Sequence, residues 1–238
     1  MYLAGWLWGC NSSEAPECFR TAGDVVENTM EIPPFNSLLI NDEFTIVISK
    51  STEQHVLLSA PENLIAEINL EVSEGVLTIS NLVGCRWVRE YDFPAIHIAT
   101  PDLQYIELTG GSTVLSEGTV SFNSLGFRSI DSNSKVDMSV ACSTLAINSN
   151  EITNYTFRGT TDELTIFISS GDGRIDVAEL TTNQASVMHR SSNDIVVNVT
   201  NSLTGNIESL GDLIYVSQEP ASIDVTETNR GRLINGVD

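Results

Sequence analysis

A short unit recurs along the second half of the chain, and it restricts the fold more than any other feature. Units open at Leu103 (LQYIEL), Leu125 (LGFRSI), Leu145 (LAINSN), Leu164 (LTIFIS), Ala185 (ASVMHR), Leu203 (LTGNIE) and Ala221 (ASIDVT), at intervals of 18 to 22 residues. Each opens with residues that alternate apolar and polar. Each then passes through a turn cluster such as TGGST, DSNSK, SSGDGR or RSSND. A second short strand follows in most, for example STVLS, KVDMSV, RIDVAEL or DLIYVS. Alternation at period two sends successive side chains to opposite faces of a strand. One such unit cannot bury its own apolar face, whereas stacked units build a continuous core. A period near 20 therefore predicts an all-β, single-stranded solenoid, a parallel β-helix, with each strand hydrogen-bonded to its counterpart one coil away. A β-sandwich also uses many short strands, but nothing in a sandwich requires strand, turn and strand to recur seven times. The predicted inward residues are Tyr105 or Ile106, Phe127, Ile147, Ile166, Val187, Ile207 and Ile223.

Residues 22–102 are also β-rich, in runs such as FNSLLIN, FTIVISK, HVLLSA, GVLTISN and AIHIAT, but their spacing is less regular. This segment is expected to form an N-terminal cap and the first coils of one domain spanning 22–238, with regular coils over 103–238. A cap is required because an open solenoid end exposes unpaired strand edges. The stretch ENLIAEINLEVSEG, the only helix candidate, reads better as a loop entering a strand.

The strings FNSLLINDEFTIVIS from Phe35, HVLLSAPENLIAEINLEVSEGVLTISN, and AIHIATPDLQYIELTGGSTV carry a family resemblance. Over residues 22–236 the chain resembles the auto-transporter adhesin head GIN domain family, β-solenoid domains common in lipoproteins of the Bacteroidetes. The resemblance implies a right-handed parallel β-helix and a periplasmic or cell-surface location. It supplies no catalytic residues and no cofactor.

The first ten residues, MYLAGWLWGC, are apolar and give way at once to NSSEAPE. Leu7-Trp8-Gly9-Cys10 is similar to the end of a bacterial lipoprotein signal, in which the cysteine is lipidated. Trp8 is large for its place, and no basic residue precedes Cys10. Residues 1–21 are thus expected to be a signal remnant and tether, with Cys10 as the lipid anchor to a membrane of the cell envelope. Of the remaining cysteines, Cys142 lies in the apolar strand context SVACSTLAI and is predicted to be a buried thiol. Cys18 and Cys85 sit in polar, turn-like surroundings and are predicted to form a disulfide.

The net charge is -21, from 11 basic and 32 acidic residues. Such a surface repels phosphate backbones, so nucleic acid is excluded as a partner. An acidic surface also favours cations, and Asp172, Asp194 and Asp212 fall near one position of successive units, about 4.8 Å apart per coil. They are a candidate ligand or calcium ladder; arginine pairing with Arg174, Arg190 and Arg230 is the competing use. Cysteine spacing suited to a zinc site is absent, and GDGRID at 171–176 lacks the downstream glutamate of a calcium loop.

For catalysis, His55, His97 and His189 are far apart in sequence, and no GxSxG string occurs. The densest candidate is His189-Arg190-Ser191-Ser192-Asn193-Asp194, which collects acid, base and cation at a strand–turn junction. Every other unit shows similar turn chemistry, and no insertion between coils is long enough to wall a substrate groove. The expectation is a non-catalytic adhesive or structural module, binding a surface or glycan ligand. The alternative is a carbohydrate-binding or carbohydrate-active β-helix.

Overall fold

The computed structural model describes residues 22–81, 93–216 and 218–236. Cys10, Cys18 and Cys85 lie outside the described residues, and so do the lipid and disulfide expectations that rest on them.

Among the described residues, seventeen strands form one continuous sheet. The N-terminal part contains β1 (Val25–Met30), β2 (Ser37–Ile40), β3 (Thr45–Lys50), β4 (His55–Pro61), β5 (Ile68–Ser73), β6 (Val76–Asn81) and β7 (Ala95–Thr100). The repeating part contains β8 (Tyr105–Leu108), β9 (Thr113–Ser121), β10 (Ser124–Ser129), β11 (Lys135–Ser149), β12 (Asn154–Ile168), β13 (Ile175–His189), β14 (Ile195–Ile207), β15 (Leu213–Tyr215), β16 (Ser222–Glu227) and β17 (Leu233–Asn235). The result is a β-solenoid of about 6 turns. No α-helix occurs among the described residues; the helix candidate is a 3-10 turn, Ile65–Glu67, leading directly into β5.

Each coil contributes to two ladders. The first runs β6, β2, β8 and β10, then the C-terminal halves of β11 to β14, then β16, all parallel. The second runs β7, β3 and β9, then the N-terminal halves of β11 to β14, then β15 and β17. In β11 to β14 the chain turns the corner between ladders without leaving the extended conformation. The closing strand of one unit and the opening strand of the next are therefore one element.

The sequence repeat predicts the register well. Leu125, Leu145, Leu164, Ala185 and Leu203 are direct partners in successive coils. The ends depart from it. Gly126 pairs with Tyr105, one place off the Leu103–Leu125 alignment, and Leu203 pairs with Ile223, two places beyond Ala221. At Tyr105–Ile106 it is Ile106 that points inward and is buried. At the Val187 rung the next coil holds Gly205, and Ile207 is buried one rung further along.

The order of coils in space departs from the order in the chain. The β2–β3 coil lies between the β6–β7 coil and the β8–β9 coil. Beyond β6 and β7 the pairing becomes antiparallel, with β5 on β6, and β4 then β1 on β7. Only β5–β6 is a tight hairpin; β4 and β1 pair across long connections, and β4 and β5 run against the coil direction, so this end of the stack is closed by strands outside the 20-residue period.

Inward residues of the coils form one core, from Phe35 to Tyr215. Its largest group is Phe127, Tyr155 and Phe157, with Phe127 and Phe157 centroids 5.1 Å apart and Tyr155 stacked on Phe157 at 6.2 Å. Gly159 lets neighbouring coils meet: its φ is +107° and a Cβ there would stand 2.1 Å from the Val140 carbonyl oxygen.

Candidate functional site

Among the described residues, polar side chains gather in three regions of the coils. They are the column of turns joining the first ladder to the second, the opposite corner, and the outer face of the first ladder.

The turn column contains the sequence candidates. Turn backbone has no strand partner within its own coil, so its polar groups must be satisfied across coils. Buried hydroxyls do this. Ser112 Oγ donates to the Asp42 carbonyl at 3.0 Å and accepts from Phe44 N at 3.0 Å. Ser134 Oγ donates to the Gly110 carbonyl at 2.9 Å, and Thr153 Oγ1 to the Ser132 carbonyl at 3.0 Å. Ser191 Oγ donates to the Gly173 carbonyl at 3.0 Å.

At the junction of turn and second-ladder strand, a side-chain oxygen accepts a backbone N–H of the next coil. Asn154 Oδ1 accepts from Arg174 N at 3.1 Å, Asp194 Oδ1 from Asp212 N at 2.9 Å, and Asp212 Oδ1 from Arg232 N at 2.7 Å. Asp194 and Asp212 therefore occupy equivalent places in adjacent coils. Asp172 does not: its coil presents Arg174 at that place. Asp172 instead accepts from Ser192 Oγ, and its carbonyl accepts from Asn193 Nδ2 at 2.6 Å. Among the described residues no three His, Cys, Asp or Glu side chains are grouped so as to hold a metal ion.

His189 is fully buried rather than on the strand surface, because it falls on the inward register of β13, in line with Ser149, Ile168 and Ile207. Its Nδ1 accepts from Ser191 N at 3.2 Å, so Nε2–H donates to the Asp212 carbonyl at 3.2 Å. Burial lowers its pKa, opposed by that carbonyl and by the charges of Asp194 and Asp212. The rest of the 189–194 cluster is also engaged. Arg190 Nε donates to Glu208 Oε2 at 2.8 Å, and Asn193 N to Ser191 Oγ at 3.2 Å. Each of its six side chains makes a hydrogen bond to a neighbouring coil. His55 and His97 are exposed strand residues of β4 and β7.

At the opposite corner, Phe122, Asn123, Cys142, Ser143, Thr161 and Asp162 line an open groove of about 480 Å³. Cys142 is half-buried rather than buried, because it sits where β11 bends between ladders and the inward alternation slips. Its Sγ donates to Thr161 Oγ1 at 3.6 Å. Burial pushes its pKa up, which makes it a poorer nucleophile than an ordinary thiol.

The outer face of the first ladder is flat and repetitive. Glu163, Gln184 and Ser202 form one row across β12, β13 and β14; Thr165, Ser186 and Thr204 form the next. Together they surround an open depression of about 270 Å³. Sequence reasoning passed over this face, although its signal was present: these are the polar members of the same alternation that identified the inward residues.

No curated protein matches the chain. Among solved structures, a "putative adhesin" from Bacteroides fragilis is similar with a TM-score of 0.79 and 20% identity, covering 89% of this chain and 97% of that one. A "putative lipid binding protein" from Parabacteroides distasonis gives a TM-score of 0.66 at 15% identity, covering 90% of this chain and 98% of that one. A "putative adhesin" from the same species gives 0.62 at 17%, covering 89% and 98%. These likenesses establish a shared fold. The model of the family described as "Putative auto-transporter adhesin, head GIN domain" matches residues 34–218, which include both ladders from β2 to β15, and the chain belongs to that family.

Proposed function

We propose that the protein is a non-catalytic adhesin module of the bacterial cell envelope, tethered through lipid on Cys10, and that the outer face of the first ladder binds an uncharged surface glycan. The observation that carries this reading is the double row Glu163–Gln184–Ser202 and Thr165–Ser186–Thr204. Its rows repeat at the strand spacing of about 4.8 Å. Five of its six side chains are neutral hydrogen-bonding groups, on a molecule whose net charge is -21. An extended polysaccharide also presents hydroxyl groups at a regular repeat, so a rigid row of hydroxyls and amides offers several parallel bonds without ordering a loop. Family membership supports the adhesin-like part. The engagement of His189, Ser191 and Asp194 in bonds between coils supports the non-catalytic part.

A glycan array comparing the natural protein with Thr165→Arg and Ser186→Arg tests the binding face. Both positions are exposed, so melting temperature should hold while glycan binding is lost. Binding that survives both substitutions would move the site elsewhere. Cleavage of polysaccharide that disappears in His189→Ala and Asp194→Ala would establish the enzyme alternative. Radioactive palmitate should label the protein in its host and fail to label Cys10→Ala; equal labelling removes the anchor.

A further inference from the structure

Two aromatic rings stand in water on the outer face of the first ladder. Among the described strand residues, Tyr105 and Phe167 are the aromatic side chains left exposed, at 36% and 38%, whereas Phe127, Tyr155 and Phe157 fill the core. Alternation puts them outside, because Ile106 and Ile166 beside them take the inward places. A ring on a rigid sheet offers a partner apolar area that is already ordered.

The register sets both rings on one path. Tyr105 pairs with Gly126, Gly126 with Ala146, and Ala146 with Thr165, so Tyr105 belongs to the row that continues through Ser186 and Thr204. Phe167 follows Thr165 by two places on β12 and stands beside it on the same face. Three coil spacings, about 14 Å, separate Tyr105 from β12. Local contacts orient Tyr105 along this path. Its ring leans over Gly126, where a Cβ would stand 3.0 Å from Cδ2 and 3.6 Å from Cε2. Its hydroxyl lies 3.5 Å from Glu107 Oε2, and that carboxylate lies 3.6 Å from Arg128 Nη1. The Glu107 and Arg128 charges offset each other beside the ring.

We propose that Tyr105 and Phe167 are stacking platforms for sugar rings, and that the bound glycan runs across the strands, along the stack, from β8 to β14. The inference rests on the outer face of the first ladder being the glycan site. A pyranose with equatorial substituents carries C–H groups on its two faces and hydroxyls around its edge. An aromatic ring covers a C–H face and removes apolar surface from water, while Thr165, Gln184, Ser186 and Thr204 meet the edge hydroxyls. A ligand lying along β12 would meet only Glu163, Thr165 and Phe167. A ligand lying along the stack meets both platforms and both polar rows. The ligand class is therefore an uncharged polymer of equatorially substituted pyranoses spanning the five coil spacings from β8 to β14, about 24 Å. A disaccharide is too short to reach both platforms.

The probes are cello-, xylo- and chito-oligosaccharides, each as a disaccharide and as a long chain, titrated by calorimetry into the natural protein, Tyr105→Ala, Tyr105→Phe, Phe167→Ala and Thr165→Arg. At least one long chain is expected to bind the natural protein about tenfold more tightly than its disaccharide. Tyr105→Ala and Phe167→Ala should each weaken that binding about fivefold, with melting temperature unchanged, and Tyr105→Phe should retain it. Saturation-transfer NMR should show the aromatic protons passing magnetisation to sugar C–H protons in the natural protein. Long-chain binding that Thr165→Arg abolishes but Tyr105→Ala and Phe167→Ala leave unchanged overturns the platforms and leaves the glycan face standing. Disaccharides that bind as tightly as long chains overturn the direction along the stack, and no binding of any long chain overturns the ligand class. The glycan face itself is refuted by binding that survives Thr165→Arg.

Discussion

Asp194 and Asp212 were candidates for a cation ladder, and their geometry makes a different use measurable. Asp194 Oδ1 accepts from Asp212 N, and Asp212 Oδ1 accepts from Arg232 N. Asn154 performs the same task two coils before Asp194, with a neutral amide oxygen. What the place requires is an acceptor, and a charge is dispensable. Asp194→Asn keeps the acceptor and should change stability by less than about 0.5 kcal/mol, whereas Asp194→Ala leaves Asp212 N without its partner at a cost of about 1 kcal/mol. The exposure of Asp194 holds that cost down, because water can partly replace the lost bond. In a chain of this size 1 kcal/mol corresponds to roughly 2–4 °C in melting temperature. Circular dichroism melts in EDTA and in millimolar calcium provide the assay. The alanine variant should melt lower by that amount in both buffers, with the asparagine variant close to the natural protein. Two results would refute the reasoning: an asparagine variant as unstable as alanine, or calcium raising the melting temperature of the natural protein but not of Asp194→Asn.

His189 should give stability a pH dependence of known sign. Its pKa is below the ordinary 6.5 in the folded state because of burial, so the unfolded chain takes up a proton first as pH falls. Stability should therefore be full above about pH 6.5 and decline below it, and His189→Gln should flatten that slope in urea titrations at several pH values. An unchanged slope would assign it to other groups. Phe157→Ala empties the centre of the aromatic group and should cost about 3–5 kcal/mol in denaturant unfolding; a loss below about 1 kcal/mol would mean that the core collapses to fill the space. Gly159→Ala places a Cβ against the Val140 carbonyl at a positive φ and should cost more than about 2 kcal/mol, read as reduced yield of folded protein or a lowered melting temperature.

The sequence by itself determined the solenoid and the register of its middle coils. The reason is geometric. Strands one coil apart must align apolar rungs, so the 20-residue period and the alternation are direct images of the stacking, and Leu125, Leu145, Leu164, Ala185 and Leu203 align in the chain as they do in space. The placement of Asp194 and Asp212 in adjacent coils is legible for the same reason, whereas Asp172 lies near them only by count within the unit and Arg174 takes their place in its coil. Tertiary structure decided what depends on contacts between coils. The insertion of the β2–β3 coil between β6–β7 and β8–β9 leaves no mark on local pattern, because each of those strands alternates identically wherever it stacks. The burial of His189 follows from the register of β13 against β12 and β14, which a polar residue in a turn-like string conceals.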